Sequence, residues 1–268
     1  VTSIVSADPQ KAGVSLLRSL SKETGITNWT VKLPEADTYF LGGSNGTVII
    51  VSKNGAIQSI DAKTGDVKWK RELAESFVAQ PVFTANKVLV AATGKRIFGV
   101  SLTSGEIDSM RKTPNAATAL GELSSGEILV GDDRGNVSTL NGTDKAIWRF
   151  KSGGGISNVF AVGEHVLATS HDNFVYFLMG SNGDVIWKKR MNGRVSQIGR
   201  VFDRYALIAS IEENSAVLTD LSNGKVAGQI VFAEKETLVS PPISHNGLMF
   251  ALTAQAVYAY SLNGCSAK

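Results

Sequence analysis

The chain has 268 residues, 43% of them hydrophobic and 19% charged, with a formal net charge of +3; that is enough apolar material for a substantial core, and too balanced a charge to demand nucleic acid as a partner. Its apolar runs are only a few residues long, as at 48–51, where a membrane helix needs roughly 20, which excludes a transmembrane helix. Cys265, the single cysteine, excludes an internal disulfide and a cysteine-based zinc cluster.

The chain opens on VTSIVSADPQ, which has no basic region followed by an apolar one, so a signal peptide either never existed or has been removed. VTSIVSA, VSLLRSL and NWTVKL then read as three short strands, with a turn at Gly25 and Trp29 four residues beyond it. The next segment repeats the arrangement as IQSIDAKTGDVKW, with Gly65 and Trp69. A third follows, in which alternating or apolar runs at 81–84, 87–92, 96–102 and 107–111 predict four strands separated by turn residues. Here the turn glycine is Gly105 and Ser109 stands at the tryptophan position. The fourth carries Asp144 and Trp148, the fifth Gly183 and Trp187, the sixth Gly224 and Gly228, and the seventh ends soon after Gly264.

The anchor positions 25, 65, 105, 144, 183, 224 and 264 differ by 39 to 41 residues, and all four tryptophans fall four residues past an anchor. Four strands in about 40 residues, repeated about seven times, is the arithmetic of a β-propeller, an all-β fold whose blades are four-stranded antiparallel sheets. Seven blades in a single domain, 1–268, is the reading, with six or eight as alternatives. The strand tally is 26, not 28: the first blade lacks its inner strand and the last its outer one. Closure is expected where the two termini meet, because an open propeller exposes a sheet edge. Glycine suits the positive φ of the turn, and the tryptophan ring suits packing on the neighbouring blade with its N–H bound to a backbone carbonyl. Trp29, Trp69, Trp148 and Trp187, with Gly25, Gly65, Gly105, Gly183, Gly224 and Gly264, are accordingly assigned to blade docking.

Ser59, Asp61, Thr64, Gly65 and Trp69 form a pattern, S-x-D-x-x-T-G-x-x-x-W, that resembles the tryptophan-docking repeat of the PQQ-like, or quinoprotein alcohol dehydrogenase-like, β-propellers. The resemblance extends over essentially the whole chain. It implies the fold and leaves function open among quinone-dependent dehydrogenases, BamB outer-membrane assembly lipoproteins and sensor domains of receptor kinases. The dehydrogenases of this family resemble one another in having eight blades, an adjacent cysteine pair, a tryptophan floor and carboxylate ligands for calcium. One cysteine and no tryptophan outside the docking position speak against that branch, so no catalytic, cofactor-binding or metal residue is assigned. BamB proteins resemble eight-bladed propellers with a lipidated N-terminal cysteine, where this chain has Val1.

Local motifs are read as structure. His165, His171 and His245 have no metal-ligand spacing. Asp132, Asp133 and Asn136 concentrate oxygen ligands without an EF-hand pattern and predict a turn. Gly42, Gly43, Ser44, Asn45 and Gly46 match the letters of a nucleophile elbow, yet a strand rather than a helix follows. Gly153, Gly154 and Gly155 precede no helix that would complete a phosphate cradle. Basic residues after the docking position, including Lys68, Lys70, Arg71, Arg149, Lys151, Lys188, Lys189 and Arg190, are expected to ring the circumference and discourage edge association. Asn28, Asn45, Asn136 and Asn141 head glycosylation sequons.

These readings converge on a non-catalytic periplasmic or extracellular propeller, binding protein partners at a face through its loops or acting as a sensor or ligand-binding domain. A BamB-like assembly factor, a quinone-dependent dehydrogenase or small-ligand binder using the central channel, and the ectodomain of a larger chain are the alternatives.

Overall fold

The computed structural model describes residues 2–7, 14–21, 23–43, 46–202, 204–211 and 213–261; Ser44, Asn45, Gly264 and Cys265 lie outside them. Every regular element among the described residues is a strand. The chain falls into two compact units, Val1–Leu120 and Gly121–Lys268.

The first unit holds three antiparallel sheets. β1 (Thr2–Ala7), β2 (Ser15–Leu20) and β3 (Thr27–Lys32) pair in chain order as a three-stranded sheet. Two four-stranded sheets follow: β4 (Tyr39–Gly42), β5 (Thr47–Ser52), β6 (Ala56–Asp61) and β7 (Val67–Glu72), then β8 (Val82–Phe83), β9 (Lys87–Ala92), β10 (Arg96–Ser101) and β11 (Ile107–Lys112). The middle strands are buried almost throughout, as VIIV in β5 and VLVAA in β9 require, whereas β7 and β11 alternate exposed and half-buried residues. One core cluster joins Ile49, Val51 and Ile57 of the second sheet to Val88, Val90 and Phe98 of the third; another joins Leu17 of the first to Ile50 and Ile60 of the second. Each fully buried isoleucine or valine of this kind contributes about 1.5–3 kcal/mol. The core therefore lies between consecutive sheets, so each blade depends on its neighbour.

The second unit repeats the plan. Its first sheet comprises β12 (Ala117–Glu122), within which the division falls, β13 (Ile128–Asp132), β14 (Asn136–Leu140) and β15 (Ala146–Lys151). Next come β16 (Ile156–Val162), β17 (His165–Ser170), β18 (Phe174–Met179) and β19 (Val185–Arg190), and then β20 (Val195–Val201), β21 (Tyr205–Ser210), β22 (Ser215–Asp220) and β23 (Val226–Val231). The last sheet has three strands, β24 (Ile243–His245), β25 (Leu248–Leu252) and β26 (Val257–Ser261). Leu167 and Phe177 of one sheet share a cluster with Ile198 and Ile208 of the next.

The seven sheets are blades of a β-propeller fold, and the predicted strand plan is met, including three strands at each end of the series. The largest boundary difference is β8, confined to Val82–Phe83 where 81–84 is predicted; Pro81 has no N–H to extend the ladder. LLRSL, 16–20, where a brief helical pattern begins, lies in β2.

Candidate functional site

The turn closing each third strand is built by hydrogen bonds legible in its residues. Asp61 Oδ1 accepts the N–H groups of Lys63 at 2.8 Å and Thr64 at 3.1 Å, while Gly65 N–H donates to Asp61 O at 2.9 Å. The Lys63 N–H bond foremost, then the Lys68 ammonium 3.1 Å from Oδ2, hold the Asp61 carboxyl below its usual range. In the sixth blade Asp220 makes the same turn: its Oδ1 accepts Ser222 N–H at 2.9 Å, and Arg204, 2.6 Å from Oδ2, helps to bring its pKa down to about 2. The turn glycine takes a left-handed φ, +83° at Gly65, +71° at Gly105, +80° at Gly183 and +71° at Gly224. The strand pairing slips by one residue there, between Ser59 and Ile60 for instance, and this bulge aims the outer strand's third residue inward.

Each tryptophan reaches forward to the turn of the following sheet. Trp29 Nε1–H donates to Ala62 O at 3.1 Å, Trp69 to Leu102 O at 3.0 Å, Trp148 to Gly180 O at 2.7 Å and Trp187 to Leu221 O at 2.9 Å. The rings lie so close over Gly65, Gly105, Gly183 and Gly224 that a Cβ at any of them would come within 2.5–2.9 Å of ring carbons. Among the described residues no ring covers Gly25, and nothing lies within 4 Å of a Cβ placed there. In the fourth blade Gly142, at φ +60°, supplies the left-handed residue two places before Asp144.

Two of the basic residues expected to face solvent instead join these seams. Arg71 Nε donates to Gly105 O at 2.7 Å, and Lys189 Nζ lies 3.4 Å from Gly224 O, where burial lowers its pKa. Both sit two residues past a docked tryptophan, on its inward face. Lys68, by contrast, is exposed and pairs with Asp61.

The remaining motifs are spent on turns. Asp132 Oδ1 accepts the N–H groups of Arg134 at 3.0 Å and Asn136 at 2.8 Å, and its Oδ2 accepts from Asn136 Nδ2 at 2.7 Å. Gly153 N–H donates to Asp172 Oδ2 at 2.8 Å, and a Cβ at Gly154 would meet Asp172 N at 2.8 Å, so this run threads closely between turns. Burial pushes the Asp172 carboxyl up, but hydrogen bonds from Tyr176 O–H, at 2.6 Å, and from the Gly153 and Phe174 N–H groups outweigh it, and the net shift is downward. His165 stacks on Phe177 with ring centroids 5.0 Å apart; His171 follows β17 at its other end, and His245 is exposed on β24. Among the described residues no three His, Cys, Asp or Glu side chains converge. Gly42 ends β4 and Gly46, at φ +74°, precedes β5.

The feature that sequence reasoning missed is a cleft of about 360 Å³ in the second unit, between the β12–β15 and β16–β19 sheets. Leu123, Ile147, Trp148 and Met179 form its apolar walls, and Glu127 and Glu164 line its polar side. Gly180 is central: its N–H donates to Glu164 O at 3.0 Å and its carbonyl receives the Trp148 indole. In the other docked seams the corresponding residue, three before the anchor, is Ala62, Leu102 or Leu221, and Leu221 is buried in the core. Gly180 carries no side chain, and a Cβ there would meet Glu164 O at 2.4 Å. Thr139, 1% exposed, also lines the cleft, and its Oγ1 has no hydrogen-bond partner among the described residues.

Residues 14–119 and 109–265 match the family described as outer membrane protein assembly factor BamB. The protein of that name from Yersinia pestis is 21% identical over 283 residues, covering 92% of this chain and 68% of the relative. Its counterpart from Moranella endobia (strain PCIT) is 24% identical over 237 residues, covering 74% of this chain and 60% of the relative. Among solved structures, BamB from Moraxella catarrhalis superposes with a TM-score of 0.69 at 16% identity, over 98% of this chain and 87% of that one. The β-propeller domain of Cps50 (Swd1) from Myceliophteria thermophila gives 0.76 at 12% identity, over 97% and 98%. At these identities the superpositions speak to the fold.

Proposed function

The chain belongs to the family described as outer membrane protein assembly factor BamB, and from that premise we propose that it is a non-catalytic scaffold, acting in the periplasm, that holds protein partners during outer-membrane protein assembly. The observation that carries this reading is the family match across nearly the whole chain. The geometry is in keeping with it: the carboxylates with lowered pKa, Asp61, Asp172 and Asp220, are each engaged in turns rather than gathered at a reaction centre. Partners would be held at the turn-bearing ends of the sheets, where exposed backbone and side chains are presented by a rigid framework. The curated relatives are longer, this chain spanning 68% and 60% of their lengths.

The test is affinity capture from an envelope extract of the source cell, with an unrelated propeller of similar charge as the control. Outer-membrane β-barrel proteins or components that assemble them are expected to be enriched over the control. Equal recovery by both would overturn the scaffold reading, as would dye-linked alcohol oxidation on addition of the quinone and calcium.

A further inference from the structure

We propose that the cleft beside Trp148 is the docking site for an extended peptide segment of a partner, one that carries an apolar side chain next to a lysine or arginine. The inference rests on the scaffold reading and specifies where, and by what chemistry, a partner would be gripped. Its first support is the wall: Ile147 is 52% and Met179 37% exposed, while Leu123 and Trp148 behind them are buried. An apolar lip leading to an apolar floor is a surface that gains by being covered. The second is charge. Glu127 and Glu164 line the cleft, and no Lys, Arg or His is among its described lining residues, on a chain whose net charge is +3. A cation beside the inserted side chain meets two carboxylates and no repulsion.

The third support is Thr139, whose buried hydroxyl lacks a partner among the described residues. The Ser59, Ser210 and Thr219 hydroxyls are left in the same way, but of the four Thr139 is the one that lines the cleft, where a peptide N–H or C=O would supply what is missing. The fourth is the tight backbone at one wall: a Cβ at Gly180 would meet Glu164 O at 2.4 Å and Leu123 Cδ2 at 3.2 Å, so no side chain from position 180 fills the cleft. At about 360 Å³ the volume lies at the lower end of the ~300–1,000 Å³ range of ligand sites, a size suited to one or two side chains rather than a folded domain.

Two blocked peptides, acetyl-Lys-Leu-Leu-Lys-amide and acetyl-Glu-Leu-Leu-Glu-amide, are titrated into the isotope-labelled full chain and followed by amide and indole NMR shifts. The basic peptide is expected to move the Trp148 indole and the Gly180 and Glu127 amides, with an affinity about tenfold above that of the acidic one. The double variant Glu127→Gln/Glu164→Gln should lose about tenfold in that affinity. Thr139→Val should weaken the basic peptide while raising the melting temperature, because it removes a buried unpaired hydroxyl; a stabilised variant that still binds fully would remove Thr139 from the site. Equal affinities for the two peptides, shifts confined to other surfaces, or no shifts with either would overturn the inference. Undiminished capture of envelope partners by the Glu127→Gln/Glu164→Gln protein would also overturn it and leave the scaffold reading standing, whereas failure of the wild type to capture them removes that reading first.

Discussion

The indole of Trp69 and the missing side chain of Gly105 are two halves of one contact. Alanine at 105 would put a Cβ 2.5 Å from the ring and hold an L-residue at φ +71°; alanine at 25 meets nearly the same φ, +70°, with nothing within 4 Å of its Cβ among the described residues. Gly25→Ala is therefore expected to cost about 1–2 kcal/mol from backbone strain alone, and Gly105→Ala about 1–3 kcal/mol more from overpacking. Trp69→Ala should cost about 3–5 kcal/mol, and in that background Gly105→Ala should fall to the Gly25→Ala level, a coupling that urea unfolding of the four-member cycle reads directly. Equal costs at 25 and 105 in the wild-type background would show that the ring does not enforce the glycine. The turn itself was legible, since Asp61, Thr64 and Gly65 make local contacts that their letters specify. The seam bonds of Arg71 and Lys189 were not, because a basic residue reads the same whether its stem lies on solvent or along a neighbouring turn.

Among the outer strands, β23 stands apart. β7, β11, β15 and β19 each carry at least two charged residues, whereas β23 reads VAGQIV, with Val226 57% and Val231 64% exposed. Charge is what keeps an exposed edge from templating another strand. The chain is accordingly expected to associate at high concentration, and Val231→Lys to reduce that association in sedimentation velocity while changing stability by no more than about 0.5 kcal/mol. An unchanged sedimentation profile would place the association elsewhere or show that it does not occur. Strand number and order were readable because each strand has its own turn residues and a period near 40. The cleft was not: Leu123, Thr139, Ile147, Glu164 and Met179 line it from separate strands and turns, and no local pattern links them.

The uninterrupted repeat leads us to propose that residues 1–268 behave as a single domain. One calorimetric unfolding transition, with equal calorimetric and van't Hoff enthalpies, is the expected outcome; two transitions would divide the chain, near β12 if they follow the compact units. The forward reach of the tryptophans also bears on how such a chain is made. Each indole and its acceptor carbonyl lie 32 to 34 residues apart in sequence, so the lock on a finished sheet comes from the repeat still to be synthesised. At about 5–20 residues per second the acceptor is made roughly 2–7 s after its tryptophan. Until then a nascent blade has its hairpins but not its latch, and its unlatched side is the growing end, onto which the next sheet closes.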